Sequence, residues 1–245
     1  MTPTFLLVHG DREYLRAPGE ELQTDLGVLT VPDDAEPGDR LETHLGDEFV
    51  VRDPRGPDLF DHFERTGAPM MPRDIGLVVG FTGAAAGDRV LDAGTGTGVL
   101  AAYLGRLDAD VVTYERDAEF AEVARENMRL AGVAETVDVR TGDVLESMGT
   151  LVDGPGFDIL TLDTEDAPAV VRRAPDLLVS GGFVVVYSPF VEGSRAAVEA
   201  AADAGLTDVT THETIQRRMK FDDRGSRPDT RGVGHTGYLT VARWE

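Results

Sequence analysis

The pattern of apolar and polar residues differs between two parts of this chain. Up to about residue 55, short apolar or alternating runs are separated by glycine, proline and aspartate, which is the pattern of short strands and turns. These runs are Phe5–Val8, Glu13–Leu15, Gly27–Val31 and Glu48–Val51. We therefore predict a small N-terminal β domain over residues 1–56, built as a partly open barrel.

A strand-and-helix alternation begins at residue 89, after two short helical stretches that start near residues 59 and 74. Strands are predicted near residues 89–93, 110–115, 136–141, 157–163 and 182–187. Helices are predicted near residues 97–107, 117–131, 167–178 and 193–204. This alternation predicts a mostly parallel sheet with helices on both faces.

The end of the chain departs from this alternation. Residues 206–217 and 236–243 are predicted to be two strands joined by a long loop rich in aspartate, glycine and arginine. An antiparallel hairpin would then complete a seven-stranded sheet. The predicted fold class is α/β, with a Rossmann-like domain over residues 57–245 after the small β domain.

The most distinctive segment is R-V-L-D-A-G-T-G-T-G, which occupies residues 89–98. An apolar strand leads into three glycines at alternate positions, and an alanine- and leucine-rich helical run follows. Glycine suits such a turn because it adopts positive φ angles and lets a ligand approach the backbone. The segment therefore predicts a ligand-binding loop between a strand and a helix.

The spacing of the glycines favours one kind of cofactor. A dinucleotide fingerprint needs G-x-G-x-x-G, but here the third glycine comes one residue early, at Gly98. The carboxylate of Asp92 would repel a pyrophosphate and attract the cationic amino-acid end of S-adenosylmethionine. D-x-G-x-G-x-G resembles motif I of the class I methyltransferases, and a nicotinamide oxidoreductase is disfavoured. The predicted cofactor contacts here are Asp92, Gly94, Thr95, Gly96, Thr97 and Gly98.

Acidic residues end the next two predicted strands. Glu115 comes 17 residues after Gly98, where a carboxylate can accept both ribose hydroxyls of an adenosine-bearing cofactor. Arg116, the next residue, is included among the candidate cofactor contacts. Asp143 follows the third strand and could accept the exocyclic amine of adenine.

Asp163 ends the fourth predicted strand. In class I methyltransferases this tip faces the methyl group and the acceptor, so Asp163 is both a candidate cofactor contact and the candidate catalytic residue. Methyl transfer from a sulfonium is an in-line displacement, for which positioning supplies much of the acceleration. An acceptor nitrogen with a free lone pair needs orientation by a hydrogen bond more than it needs a strong base.

Two further segments resemble one family. Residues 67–76, G-A-P-M-M-P-R-D-I-G, resemble the Y-P-K-D-I-G-type segment of tRNA (adenine-N1)-methyltransferases of the TrmI type. Arg227-Pro228 and the later G-H-T-G-Y-L, residues 234–239, are similar to that family's C-terminal signature. The resemblance implies S-adenosylmethionine-dependent methylation of N1 of adenine in the tRNA T-loop, at positions 57 and 58 in archaeal members and 58 in bacterial ones. It also implies a homotetramer.

The resemblance and the local charge suggest residues that contact the RNA. The candidates are Met71, Arg73, Arg224, Arg227 and His235. For His235, a hydrogen-bonded structural role is the preferred interpretation and lining of the site is the alternative. Met71 stands where the family has tyrosine, and residues 164–168, T-E-D-A-P, lack the aromatic of the family's L-P-x-P-W. These two departures concern the contacts with the acceptor base and leave the cofactor residues unchanged.

The charge of the chain is strongly acidic, with a formal net charge of −22 and 23 basic residues, of which only Lys220 is a lysine. This composition resembles proteins adapted to a high-salt cytoplasm, as in halophilic archaea; an acidic protein that binds cationic partners is the alternative. Residues 217–231 differ, because six basic and three acidic side chains give this segment a local charge of +3. With Phe221 among the cations, we predict that this segment faces RNA.

Other classes of protein are disfavoured by composition. With no cysteine, the chain has no disulfide framework, thiolate metal site or cysteine nucleophile, and no metal is predicted. No basic leader and no run of about 20 apolar residues is present, so a cytoplasmic protein without a membrane span is expected. Two alternatives remain open: a non-catalytic RNA-binding subunit, and a methyltransferase for protein isoaspartate or a small molecule.

Overall fold

In the computed structural model, which describes residues 4–232 and 234–245, the N-terminal region forms two antiparallel sheets. Residues 1–3 lie outside the described residues. They belong to the predicted β domain and to the N-terminal segment for which no basic leader is predicted. The strands are β1 (Phe5–His9), β2 (Arg12–Arg16), β3 (Glu21–Thr24), β4 (Gly27–Thr30), β5 (Arg40–Glu42) and β6 (Glu48–Arg52). The first sheet has the order β2-β1-β6-β5, and β3 pairs with β4. The two sheets enclose a shared apolar core instead of joining into one sheet.

Strand β1 is buried on both of its faces. Phe5 and Leu7 pack with Phe49 in the core between the small sheets. Leu6 and Val8 belong instead to the main apolar core of the molecule. Because successive side chains of a strand point to opposite faces, one strand joins the two cores.

A larger sheet follows two helices, α1 (Gly56–His62) and α2 (Pro72–Thr82). Its strands are β7 (Arg89–Ala93), β8 (Asp110–Glu115), β9 (Val137–Thr141), β10 (Phe157–Leu162), β11 (Leu178–Ser188), β12 (Thr207–Glu213) and β15 (Tyr238–Arg243). The helices between them are α3 (Val99–Gly105), α4 (Ala118–Ala131), α5 (Met148–Val152), α6 (Ala167–Val171), α7 (Ala174–Leu177) and α8 (Val191–Asp203).

The seven strands have the order β12-β15-β11-β10-β7-β8-β9. Strands β11, β10, β7, β8 and β9 are mutually parallel, and β15 runs antiparallel to both β11 and β12. The predicted α/β fold with a terminal antiparallel hairpin is therefore confirmed. The strand order reverses between β7 and β10, and such a reversal opens a crevice at the carboxyl ends of the strands.

Some element boundaries differ from the prediction. The helix predicted over residues 167–178 is divided into α6 and α7, because Pro175 lies in the first turn of α7 and has no N–H to continue a helix. The predicted strand 206–217 ends at Glu213. The predicted C-terminal loop contains a further hairpin, β13 (Met219–Asp222) paired with β14 (Gly225–Pro228).

The helices that flank the site have clear end signals. Pro72 occupies the first turn of α2, and Gly83 ends the helix in a left-handed conformation with φ of 72°. In α4 the Asp117 side chain accepts hydrogen bonds from the N–H groups of Glu119 and Phe120. Asp117 thus fixes the start of α4 directly after the carboxyl end of β8, whereas Gly83 ends α2 before the chain enters β7.

A buried amide attaches the segment before α2 to this edge. Asn127 of α4 is fully buried, accepts a hydrogen bond from the Glu64 N–H at 3.2 Å and donates to the Glu64 carbonyl at 3.0 Å. Its amide also donates to the carbonyl of Thr97 at 2.9 Å. One side chain thus joins α4, the glycine loop and the segment that covers the loop.

We expect Asn127→Ala to lower the free energy of unfolding by about 2–4 kcal/mol, because it removes the buried amide that bonds the Thr97 carbonyl and the partly buried N–H and carbonyl of Glu64. Urea unfolding in molar KCl measures this change. The matched control is Glu126→Ala, which removes an exposed side chain from the same helix and should cost about 0.5 kcal/mol or less. Equal effects of the two substitutions would contradict the assigned role of Asn127.

Candidate active site

The glycine loop connects β7 to α3 at the carboxyl edge of the sheet. Gly94, Gly96 and Gly98 all have positive φ angles, of 92°, 53° and 81°. A Cβ atom at Gly94 would lie 2.1 Å from the backbone oxygen of Asp163, and one at Gly98 would lie 2.7 Å from Cε of Met128. Glycine at position 94 is therefore required by close packing against backbone as well as by its φ angle, whereas Gly98 is favoured by its φ angle, since the Met128 side chain could shift.

The Asp92 carboxylate is buried within the sheet, between two threonines. Thr113 of β8 donates to Oδ2 of Asp92 and Thr161 of β10 donates to Oδ1, each at 2.6 Å. Both threonines are the register partners of Asp92 on the neighbouring strands. Burial raises the pKa of Asp92, and the two hydroxyl hydrogen bonds oppose that shift.

Asp163 follows β10 and lies beside the glycine loop. Its N–H donates to the carbonyl of Ala93 at 2.9 Å. The side chain is open to solvent through the cleft, although protein atoms surround it on most sides. Burial by these atoms, together with the negative charge of Asp92, raises the pKa of Asp163 to about 7.

Two cavities along the glycine loop form a continuous cleft, which we call the glycine-loop cleft. The smaller, of about 70 Å³, is lined by Asp92, the loop itself and residues 66–70. The larger, of about 450 Å³, extends to Glu115 and Asp143. Thr66, Gly67, Gly94, Gly96 and Asp163 line both.

The larger part of this cleft contains the acidic residues predicted from the strand ends. Glu115 accepts hydrogen bonds from the N–H of Gly96 at 2.9 Å and from the N–H of Asp117 at 3.0 Å. Asp143 accepts from the N–H of Leu145 at 2.8 Å. Since each carboxylate can accept about four hydrogen bonds, both retain capacity for a ligand.

Arg116 spans the outer wall of the same cleft. Its guanidinium lies 3.1 Å from Glu165 and 3.1 Å from Asp166. These ion pairs link the end of β8 to the segment after β10, where Asp163 lies. The structure thus brings together the predicted residues of the loop, Glu115, Arg116, Asp143 and Asp163.

A third cavity, of about 540 Å³, adjoins Asp163 on the side away from the glycine loop. We call it the Phe190 cavity. Its lining residues are Asp163, Thr164, Glu165, Ala167, Pro168, Val186, Tyr187, Ser188, Pro189, Phe190, Glu192, Gly193 and Ala196. Asp163, Thr164 and Glu165 line both the larger part of the glycine-loop cleft and the Phe190 cavity, and of these three Asp163 also lines the smaller part of the cleft.

The two family-like segments contact each other, although more than 160 residues separate them. Thr236 donates to the buried Asp74 carboxylate at 2.8 Å and accepts from Nη2 of Arg73 at 2.8 Å. A Cβ atom at Gly237 would lie 2.5 Å from the ring of Tyr187, so this glycine lets the ring pack against the backbone. These contacts join α2, β11 and the start of β15.

The other candidate substrate residues lie in different places. The backbone carbonyl of Met71 accepts the N–H groups of Asp74 and Ile75 at the start of α2, whereas Met70 lines the glycine-loop cleft. Arg224 and Arg227 lie on the exposed hairpin β13–β14. Over the described residues, neither arginine lines the cleft or the Phe190 cavity.

His235 makes two hydrogen bonds through its ring. Nδ1 lies 2.9 Å from a carboxylate oxygen of Glu213, and Nε2 lies 3.0 Å from the carbonyl oxygen of Pro189. Both partners are acceptors, so the protonated imidazolium satisfies them best. The Pro189 carbonyl, followed by Glu213, raises the pKa of His235. Through these two hydrogen bonds His235 joins the start of β15 to β12 and to the turn before α8.

Several residues of the site are not predicted from the sequence. Thr113 and Thr161 are polar residues within mainly apolar strands, and these strands flank the strand that carries Asp92. A threonine in such a strand is the signal that could have identified them. Asn127 carried no signal, because its role depends on contacts distant in the sequence. Among residues 4–232 and 234–245, no cluster of three or more potential metal ligands and no helix able to cross a membrane is found.

The fold and the glycine loop place the chain among the class I methyltransferases. A SAM-dependent O-methyltransferase from Thermotoga maritima superposes with a TM-score of 0.80 at 24% identity, covering 99% of this chain and 93% of that one. A tRNA (m1A58) methyltransferase TrmI from Aquifex aeolicus gives a TM-score of 0.73 at 22% identity, covering 99% and 96%. Both likenesses show the fold alone.

Sequence comparison identifies the family. The family described as tRNA methyltransferase complex GCD14 subunit matches residues 63–224. The chain is 32% identical to the tRNA (adenine(57)-N(1)/adenine(58)-N(1))-methyltransferase TrmI of Methanocaldococcus jannaschii, over 96% of this chain and 92% of that protein. The chain belongs to the GCD14 family, and the resemblance to TrmI-type enzymes is confirmed.

Asp163 should make the stability of the protein depend on pH. An unfolded aspartate releases its proton near pH 4, whereas folded Asp163 retains it up to about pH 7, so this group destabilises the fold increasingly between those values. We expect Asp163→Asn to raise the melting temperature at pH 8 and to have little effect near pH 4.5. Because solvent in the cleft screens the charge, the rise should be about 2–4 °C, as about 1 kcal/mol produces in a chain of this size.

Melting curves from pH 4.5 to 8 measure this dependence. Glu192→Gln is the matched control, since it removes an exposed carboxylate from the lining of the Phe190 cavity. An equal stabilisation by Asp163→Asn at every pH would show that its origin is not the ionisation of Asp163.

Proposed function

We propose that this chain is an S-adenosylmethionine-dependent tRNA (adenine-N1)-methyltransferase that acts in the T-loop. The observation that carries the proposal is the position of Asp163, at the junction of the glycine-loop cleft and the Phe190 cavity, in a chain of the GCD14 family. Its M. jannaschii relative is named for adenines 57 and 58. Position 58, and also 57, are the proposed sites here.

The residues of the glycine-loop cleft fit S-adenosylmethionine. Asp92, Gly94, Thr95, Gly96, Thr97 and Gly98 would hold its amino-acid end. Glu115 would accept the ribose hydroxyls and Asp143 the adenine amine, with Arg116 closing the outer wall. Burial disfavours the carboxylate forms of Asp92 and Asp163, and a cationic ligand next to the loop would stabilise both of them.

When bound, the cofactor supplies a methyl group that passes from its sulfonium to N1 of adenine, leaving a neutral thioether. Asp163 would orient the acceptor by accepting a hydrogen bond from the exocyclic amine of adenine. N1 attacks through its own lone pair, so no proton has to leave before transfer. The methylated base gains a positive charge, which the Asp163 carboxylate stabilises at short range.

The test is methyl transfer from labelled S-adenosylmethionine to unmodified tRNA in molar KCl, followed by nucleoside analysis. We expect 1-methyladenosine that disappears when the T-loop adenines are replaced. Asp163→Ala should lower kcat by about 100-fold or more, since it removes a charged hydrogen bond at the reacting base. The Kd for the cofactor, measured by calorimetry, should change by only a few-fold.

Several outcomes would contradict the proposal. Wild-type activity in Asp163→Ala would remove the catalytic role of Asp163. Cofactor binding without transfer to tRNA would favour a non-catalytic subunit or another acceptor, such as protein isoaspartate or a small molecule. Retention of the glycine loop, Glu115 and Asp163 supports an active enzyme over a non-catalytic subunit.

The hairpin β13–β14 and its flanks are the proposed RNA-facing segment. Residues 217–231 carry a local charge of +3 in a chain of net charge −22. Asp222 contacts Lys220 at 3.5 Å and Arg227 at 3.2 Å, so part of this positive charge is paired within the hairpin. Phe221 is 74% exposed and could stack on a base.

We expect the double substitution Arg224→Ala and Arg227→Ala to weaken tRNA binding. The slope of the logarithm of the tRNA association constant against the logarithm of the salt concentration should fall in magnitude by about 1–2, because one or two phosphate contacts are lost. Filter binding across a series of KCl concentrations measures the slope. Arg172→Ala, which removes an exposed arginine paired with Asp203 away from the hairpin, is the matched control. An unchanged slope in the double variant would place the RNA elsewhere.

The proposal includes the organisation of the protein. The division into a β domain, residues 1–56, and a methyltransferase domain, residues 57–245, is supported by the separate N-terminal sheets. A homotetramer is proposed from the resemblance to TrmI-type enzymes, and the exposed Ile215 side chain is an apolar group available for a contact between subunits. The acidic, lysine-poor composition supports adaptation to high salt, as in halophilic archaea, and a tRNA substrate supports a cytoplasmic location.

A further inference from the structure

Phe190 is an aromatic side chain exposed at the edge of the site. It precedes α8, is 69% exposed and lines the Phe190 cavity together with Asp163. An exposed aromatic ring in the same cavity as the Asp163 carboxylate offers an apolar face to whatever occupies that cavity. The cavity has a volume of about 540 Å³, which is within the usual range for sites that hold a small planar group.

The backbone that carries Phe190 is held at several points. The Ser188 hydroxyl donates to the Phe190 carbonyl at 2.9 Å. A Cβ atom at Gly193 would lie 2.2 Å from Oγ of Ser188, so α8 begins in close contact with this turn. The His235 ring donates to the Pro189 carbonyl at 3.0 Å. The backbone segment that carries the exposed Phe190 ring is therefore held in place by these contacts.

The composition of the cavity lining restricts its occupant. Most of the lining is apolar or small, including Ala167, Pro168 and Val186, whereas its charged members, Asp163, Glu165 and Glu192, are all acidic. Acidic side chains repel phosphate and favour a base that becomes positively charged. A ring face attracts such a cation more strongly than it attracts a neutral base.

The segment after Asp163 provides no aromatic ring for this purpose, since residues 164–168 are T-E-D-A-P. Tyr187 also lines the cavity, but its ring packs against the backbone of Gly237. Phe190 is thus the ring in this lining that is largely exposed.

We propose that Phe190 is the stacking platform for the acceptor adenine and thereby a substrate-binding residue for methyl transfer. This inference rests on the proposed tRNA methyltransferase function. With the base between Phe190 and the Asp163 carboxylate, the ring stabilises the methylated, positively charged base more than the neutral one. Phe190 therefore contributes to turnover as well as to binding.

The test compares Phe190→Ala, Phe190→Leu and Phe190→Trp with the wild type in the tRNA methylation assay. We expect kcat/KM for tRNA to fall about 10-fold or more in the Ala and Leu variants and to stay within about 3-fold in the Trp variant, because stacking requires an aromatic face. The Kd for S-adenosylmethionine should be unchanged in all three. Leu45→Ala, which truncates a side chain 63% exposed in the N-terminal region, is the matched control.

The outcomes separate this inference from the proposed function. If the wild type methylates tRNA while Phe190→Ala retains its kcat/KM within 2-fold, or Phe190→Leu equals the wild type, the stacking role is overturned and the proposed function stands. If the wild type transfers no methyl group to tRNA, both are overturned. Melting temperatures of the variants identify any loss of activity that comes from unfolding.

Discussion

The site depends on one buried carboxylate that needs a hydrogen-bond donor on each side. Asp92 receives the hydroxyls of Thr113 and Thr161 only while β8, β7 and β10 keep their register. A slip of one residue would turn these threonines to the opposite face of the sheet. The same register brings the glycine loop, Glu115 and Asp163 to a common edge. The pairing of the strands therefore sets the geometry of the site.

Much of the fold and of the glycine-loop cleft could be predicted from the sequence, for physical reasons. Buried parallel strands are nearly continuous apolar runs, so β7, β8 and β10 were recognisable within a residue or so of their observed ends. The carboxyl ends of parallel strands meet at one edge, so Glu115, Asp143 and Asp163 could be expected near the glycine loop. The close approach of Asp163 to Gly94 accounts for one glycine of the motif in a way that spacing alone does not.

The remaining features depend on contacts or on weak local patterns. The hydrogen bond from Thr236 to Asp74 joins residues 162 positions apart, and no periodicity indicates it. Hairpin β13–β14 has little burial on either face, so its strands lack the alternation that marks a strand at the edge of a core. Phe190 lies where an apolar residue would usually be assigned to packing, and only its exposure in the folded chain distinguishes it.

The strand order has a consequence for the synthesis of the protein. β15 lies between β11 and β12, although it follows every other strand along the described chain. On the ribosome, β12 has no neighbour in the sheet until β15 emerges, and the edge of β11 stays open to other polypeptides. Thr236, just before β15, reaches Asp74 at the same stage. A nascent chain that has not yet produced β15 therefore lacks both a closed sheet and a finished site, and chaperones would be most needed during that interval.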